Sequence, residues 1–216
     1  MITTECLTDS IPVKARNQGN RPTCVAFAVT DLNRRFADDE LGPEYFYRAT
    51  IRRIPGWKPG DGVQLTAVAE ASQAGHALEA HYPYQADEPV VPLEMLPDAL
   101  DLFGRPIHFF HPDVDEMIDN LRMGVPVGLA LRLTYEFYSP VDGMVPFTHS
   151  ILPGAMQHAV VTVGLGHDAR GEIWFLIRNS WGEAWGHNGH AWIPAAYIAM
   201  HATCAFGVEH GSPDSA

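Results

Sequence analysis

Apolar residues change their spacing about halfway along this chain. Val25, Phe27, Val29, Leu32 and Phe36 recur at roughly helical intervals, while Arg34, Arg35, Asp38 and Asp39 supply a solvated face. The pattern predicts an amphipathic helix with Thr23 as its N-cap, stopped at Leu41-Gly42-Pro43. A second helix is expected from Pro43 to about Arg53, since proline suits a first helical turn. A third runs from Gly62 to Ala74, ending at Gly75, and a short acidic-start helix covers Asp113 to Met123. Beyond Gly124 the period shortens. Pro126–Leu133, His158–Leu165, Glu172–Ile177 and His190–Ile193 are β-branched or alternating runs between Gly-rich turns, and read as strands. The proline-rich stretch Tyr82–Pro97 is expected to be an irregular crossing segment, and the first dozen residues show no strong periodicity. Helices first and strands afterwards predict an α+β protein with two lobes.

Composition narrows the function classes. The chain has 216 residues, enough for one domain, or two small lobes sharing a cleft, with a substantial core. With 14 Lys+Arg against 26 Asp+Glu, the net charge of −12 argues against nucleic acid as a partner, because phosphate contacts need a clustered basic surface. Apolar runs such as Ala159–Leu165 are too short to span a bilayer, so no membrane partner is expected. Met1-Ile2-Thr3-Thr4-Glu5-Cys6 has neither a basic n-region nor an apolar h-region. Three cysteines are too few and too odd a set for a disulfide-stapled scaffold. Together these features predict a cytoplasmic protein.

Candidate chemistry begins at Cys24, where the turn Asn17-Gln18-Gly19-Asn20-Arg21-Pro22 hands over to the first helix. Free N–H groups and the helix dipole favour a thiolate at that place, although a lone cysteine is more often a small buried hydrophobe. Gln18 is either an ordinary turn residue or an amide aimed at an oxyanion beside the Cys24 N–H. His158, opening a buried strand, is either a packed core residue or a rigidly held base. Asn179, in Arg178-Asn179-Ser180-Trp181-Gly182, can accept a hydrogen bond from an imidazole, with Trp181 covering that bond; otherwise the segment is a structural turn. The eleven histidines, His167, His187 and His190 among them, lack zinc-type spacing, and neither a metal nor a cofactor is expected.

In this order, Gln18, Cys24, His158 and Asn179 resemble the constellation of the papain-like cysteine peptidases. Asn17–Ala28 resembles the family's oxyanion-glutamine and nucleophile segment, Gln157–Gly164 its histidine segment, and Arg178–Gly189 its asparagine segment. His158 lies 134 positions after Cys24, within the family range, and Asn179 lies 155 after it, slightly beyond. Leu41-Gly42-Pro43-Glu44-Tyr45, His81-Tyr82-Pro83-Tyr84 and Glu136-Phe137-Tyr138 resemble segments between the main motifs, so the likeness extends from about Pro12 to Val208.

The resemblance implies a single papain-like domain over residues 1–216. A helical left lobe would occupy roughly 12–110 and a right lobe built on an antiparallel β-barrel roughly 111–210, with the active-site cleft between them. It implies a cysteine endopeptidase acting on peptides or proteins, with Cys24, His158, Asn179 and Gln18 as catalytic residues. A proteinaceous inhibitor or regulator is conceivable, but the sequence names none. Acyl transfer of transglutaminase or amidase type, and a binding protein on an inactive scaffold, are the alternatives. Departures are informative. The family's Cys-Gly-Ser-Cys-Trp is here Arg21-Pro22-Thr23-Cys24-Val25, which removes a left-lobe disulfide, and Cys204 stands as an orphaned buried thiol with Cys6 incidental. No inhibitory prosegment is visible before the matching domain. At the substrate clamp, Gly60-Asp61-Gly62 places Asp61-Gly62 where the family has Gly-Gly, which implies bulk near the S2 subsite. Glu209 falls at the base of that subsite, where a carboxylate would favour a basic substrate side chain; Trp181 joins these as a substrate-binding residue.

Overall fold

The computed structural model describes residues 1–8, 14–154 and 157–208. A strand β1 (Thr3–Leu7) precedes three helices, α1 (Cys24–Asn33), α2 (Pro43–Ile51) and α3 (Leu65–Ser72). Two short strands, β2 (His76–Ala77) and β3 (Leu102–Phe103), pair with each other, and the irregular segment expected around Tyr82–Pro97 lies between them. The rest of the chain is β4 (Ile107–Phe110), α4 (Val114–Arg122), β5 (Val127–Leu131), α5 (Tyr135–Tyr138), β6 (His158–His167), β7 (Ile173–Arg178), β8 (His190–Pro194), α6 (Ala195–His201) and β9 (Ala202–Val208).

All seven longer strands form one antiparallel sheet in the order β4-β9-β5-β6-β7-β8, with β1 added to β6. The first half of β6 pairs with β5, the second half with β1. The expected barrel is therefore an open sheet: among the described residues, no ladder joins β8 back to β4. The sheet also draws in β1 and β4 from the N-terminal half of the chain.

The apolar run of β6 is continuous because helices cover both of its faces. Ala159, Val161 and Val163 pack into one cluster with Ala26, Val29 and Leu32 of α1 and Phe46 and Tyr47 of α2. Val160 and Leu165 point into a second cluster with Met117 and Leu121 of α4 and Tyr197 and Ile198 of α6. A register shift between Thr162 and Gly164 explains why the second cluster takes an even-numbered residue before it and an odd-numbered one after it. Next to β6, Gly128 is required by close approach: a Cβ there would lie 2.1 Å from the Phe206 ring of β9.

Three local expectations are corrected. Thr23 precedes α1 but does not cap it; its hydroxyl bonds the Tyr84 hydroxyl at 2.9 Å instead. The third helix begins at Leu65, three residues later than predicted, because residues 59–64 are spent on the turn of the Gly60-Asp61-Gly62 loop. Cys204 is half-buried, not fully enclosed, and like Cys6 and Cys24 it is a free thiol.

The helices and the sheet are tied by a buried ion pair. Arg178, the last residue of β7, donates from Nε to Asp31 Oδ2 at 2.8 Å, and Arg16 Nη2 donates to Asp31 Oδ1 at 2.7 Å. Arg178 is 2% exposed and Asp31 8%, so removing the carboxylate would strand a guanidinium in the interior. Asp31→Ala is expected to cost about 3–5 kcal/mol, read as a fall in Tm of roughly 10 °C; a change within 2 °C would contradict it.

His76 gives the fold a pH dependence. It is enclosed, stacked on Phe46 at 4.5 Å, and bonds Thr30 Oγ1 through Nδ1 at 3.0 Å. Burial, assisted by the Arg16 charge, pushes its pKa down to about 3. The unfolded chain binds a proton at this residue below about pH 6.5 while the folded chain does not, so the contribution is complete above that value and lost as pH falls toward 3. Urea titrations of His76→Gln are expected to show an acid-side slope shallower than wild type by up to about 1.4 kcal/mol per pH unit.

Candidate active site

Cys24 is the first residue of α1, where N–H groups lack intrahelical partners and the dipole is positive. The helix packs along β6, so the thiol meets the start of that strand. His158 is the first residue of β6, and Asn179 follows the last residue of β7. Because these strands are antiparallel neighbours, with Val161 opposite Arg178, the ladder brings His158 and Asn179 side by side.

His158 Nε2 donates to Asn179 Oδ1 at 2.7 Å, which leaves Nδ1 as the ring nitrogen free for chemistry. The same Oδ1 accepts from the Ser180 N–H at 2.8 Å, so the asparagine is fixed by its own backbone. Trp181 lies over the histidine, with ring centroids 4.6 Å apart, and stacks on Tyr138 at 5.1 Å. The His158–Asn179 bond is thus kept from water: these residues are 6% and 2% exposed.

Gln18 is fixed from both ends of its amide. Its Oε1 accepts from Ser180 Oγ at 2.6 Å, and its Nε2 donates to the Arg21 carbonyl at 2.7 Å. An amide nitrogen carries two hydrogens, so one N–H remains for the cleft. The Gln18 backbone is held by Ser180 O and by the Tyr84 hydroxyl.

Gln18, Cys24, His158 and Trp181 line one cleft of about 690 Å³. Its walls include Val25, Gly60, Gly62 and Val63 on the helical side and Ala130, Leu133 and Tyr138 on the sheet side. Asp61 does not line it. Its carboxylate turns back to accept from the Lys58 N–H at 2.8 Å, so the anticipated bulk at the clamp is absent and the two flanking glycines face the cleft. Glu209 lies outside the described residues. Ser180, Tyr84 and Arg21 hold the site together but carried no chemical signature in the sequence; Ser180 and Arg21 stand beside the Asn179 and Gln18 motifs, while Tyr84 belongs to the His81-Tyr82-Pro83-Tyr84 segment.

The cleft disfavours isolated charges. Burial pushes the Cys24 thiol up, against the backbone N–H groups of Ala159, Val25 and Cys24 that pull it down. Burial likewise pushes His158 down to about 4, against the bond to Asn179. A thiolate and an imidazolium are then each costly alone in this cleft. Among the described residues, no group of three or more His, Cys, Asp or Glu is placed to hold a metal ion.

Comparisons with known proteins accord with this geometry. The family described as papain family cysteine protease matches residues 60–207, a stretch that contains His158 and Asn179 and begins downstream of Cys24. The viral cathepsin of Adoxophyes honmai nucleopolyhedrovirus is 28% identical over 131 residues, covering 60% of this chain and 37% of that protein. Pro-cathepsin H of Mus musculus is 31% identical over 80 residues, covering 36% of this chain and 23% of that one. The match thus spans well under half the length of these curated relatives. Among solved structures, xylellain, a cysteine protease from Xylella fastidiosa, superposes with a TM-score of 0.75 at 19% identity over 97% of this chain and 88% of that one. The bromelain protease from Ananas comosus in complex with the E64 inhibitor gives 0.67 at 18% identity, covering 94% and 95%. At these identities the structural likeness establishes the fold.

If the thiol is charged only through His158, its reactivity follows the pair. Iodoacetamide is expected to alkylate wild-type Cys24 at mildly acidic pH, whereas in His158→Ala the midpoint moves above the ordinary cysteine range. Peptide mass spectrometry across a pH series checks this, and identical profiles for the two proteins would refute the pairing.

Proposed function

The chain belongs to the papain family of cysteine proteases, and we propose that it is an endopeptidase using Cys24 as nucleophile. The observation that carries this reading is the shielded His158–Asn179 bond, which leaves His158 Nδ1 free at the cleft that also holds Cys24. The Cys24 Sγ–H proton passes to Nδ1, and the thiolate attacks the substrate carbonyl carbon. As the C=O electron pair moves to oxygen, the Cys24 N–H and the free Gln18 Nε2–H stabilise the oxyanion. The tetrahedral species collapses, the C–N bond breaks, and Nδ1–H protonates the leaving amine. Water then gives a proton to Nδ1 and attacks the thioester, releasing the acid and restoring the thiol. Asn179 keeps the ring in the orientation and tautomer that this sequence needs.

Peptides or proteins are the substrates this reading calls for. The clamp of Gly60 and Gly62 leaves backbone room along one wall, and Val63 and Ala130 supply apolar surface. A reducing, cytoplasmic setting suits it, because Cys24 is one of three unpaired thiols and a reactive thiolate is lost to oxidation.

Incubation of a peptide library with purified protein, followed by product mass spectrometry, tests the proposal. Wild type is expected to yield hydrolysed fragments. Cys24→Ala is expected to lower kcat/KM by roughly 10⁵-fold or more with its Tm and circular dichroism unchanged. Turnover retained by Cys24→Ala, or transfer to amines without hydrolysis in wild type, would overturn it.

A further inference from the structure

The oxyanion-side loop is anchored by a charge cluster that the mechanism above does not use. Arg21 is 3% exposed, and its Nη1 donates to Glu44 Oε2 at 2.6 Å and to the Gln85 carbonyl. Glu44 is fully enclosed on α2, and its other oxygen, Oε1, accepts from Arg48 Nε at 2.8 Å. The Arg21 guanidinium lies over the rings of Tyr47 and Tyr84, at 5.0 and 4.8 Å from their centroids, with Glu88 Oε1 3.6 Å from Nε. Its side chain is therefore locked by two carboxylates, a carbonyl and two aromatic faces.

What this lock holds is the backbone of Arg21. Its carbonyl accepts from the Thr23 N–H at 2.8 Å and from Gln18 Nε2 at 2.7 Å. Thr23 in turn donates to the Tyr84 hydroxyl, which donates to the Gln18 carbonyl at 2.8 Å. The loop from Gln18 to Cys24 is thus a closed circuit, anchored on the helical side by the Arg21–Glu44 pair and on the sheet side by Ser180.

We infer that Arg21 is a positioning residue for the oxyanion donor: Glu44 fixes its side chain, and its carbonyl aims the Gln18 amide into the cleft. The inference rests on the reading of Gln18 as that donor. A rigid acceptor sets the direction of the second N–H, and a donor displaced by about 1 Å forfeits much of its stabilisation of a developing charge.

Arg21→Met keeps the length of the side chain and removes its fork. In this variant kcat is expected to fall about 10- to 100-fold, with KM changed by less than about threefold. Iodoacetamide alkylation of Cys24, which forms no oxyanion, is expected to keep its wild-type rate. Arg21→Met combined with Gln18→Ala should be no slower than Gln18→Ala alone, because the first acts through the second. Unchanged kcat in Arg21→Met, alkylation falling in step with kcat, or losses that multiply in the double variant would each overturn the inference. If Arg21→Met does not fold, Arg21→Lys, which retains the charge on Glu44 without the two-pronged geometry, replaces it. Its kcat should lie below wild type with the same non-additivity, and full kcat would be fatal. Wild type that cleaves no peptide would sink the endopeptidase reading by itself. Affinity for a peptide aldehyde, whose adduct oxygen needs the same donors, would then decide for Arg21: weakened in Arg21→Met if the inference holds, level if it does not.

Discussion

The contact between Asp31 and Arg178 is the constraint on which the site depends. Asp31 lies seven residues, two helical turns, after Cys24 and so on the same side of α1. Arg178 immediately precedes Asn179. A single buried pair thereby fixes both the rotation of the helix that presents the thiol and the depth of the strand that presents the asparagine. Dispersion and apolar burial hold α1 on the sheet, but they are non-directional; Ala26, Val29 and Ala159 tolerate small slides that an ion pair of 2.8 Å does not. Arg16, on the opposite Asp31 oxygen, leaves the carboxylate little freedom to swing away.

The same economy of charge runs through the cleft. Buried ions here come with partners: Arg178 with Asp31, and Arg21 and Arg48 with Glu44. Cys24 and His158, like His76, have no charged residue of opposite sign bonded to them among the described residues, and their surroundings press each toward neutrality. On the proposed mechanism, one proton moves between Cys24 and His158. The structural charges sit against opposite charges, whereas His158 is bonded to the neutral Asn179.

Much of this was legible in the sequence where one physical signal dominated. The helix at Cys24 and the strand at His158 announce themselves by period and by continuous apolar character, and the four site residues appear in an order that chance does not readily give. Geometry that depends on partners distant in sequence was not legible. Thr3–Leu7 is a strand because the open edge of β6 accepts it, yet it is largely exposed and shows no apolar alternation. Ala202–Val208 abuts α6 with no intervening turn residues, so local pattern could not separate them. Thr23 has the right chemistry for a cap, but the Tyr84 hydroxyl, 61 positions away, competes successfully for it. The position of Asp61 beside the clamp glycines predicts bulk in the cleft, whereas its own loop offers it the Lys58 N–H.

Arg21 stands where the resemblance to the papain-like peptidases led to a cysteine. A covalent staple at that place has to be made by an oxidant after synthesis and is undone by a reductant. The arrangement seen here is complete as soon as α2 brings Glu44 against the loop. On the proposed mechanism, the oxyanion side is thereby set by folding alone and is independent of the thiol balance of the surroundings, while Cys24, as a reactive thiol, responds to that balance. Assembly and redox sensitivity, which a disulfide would entangle, are separated between two residues three positions apart.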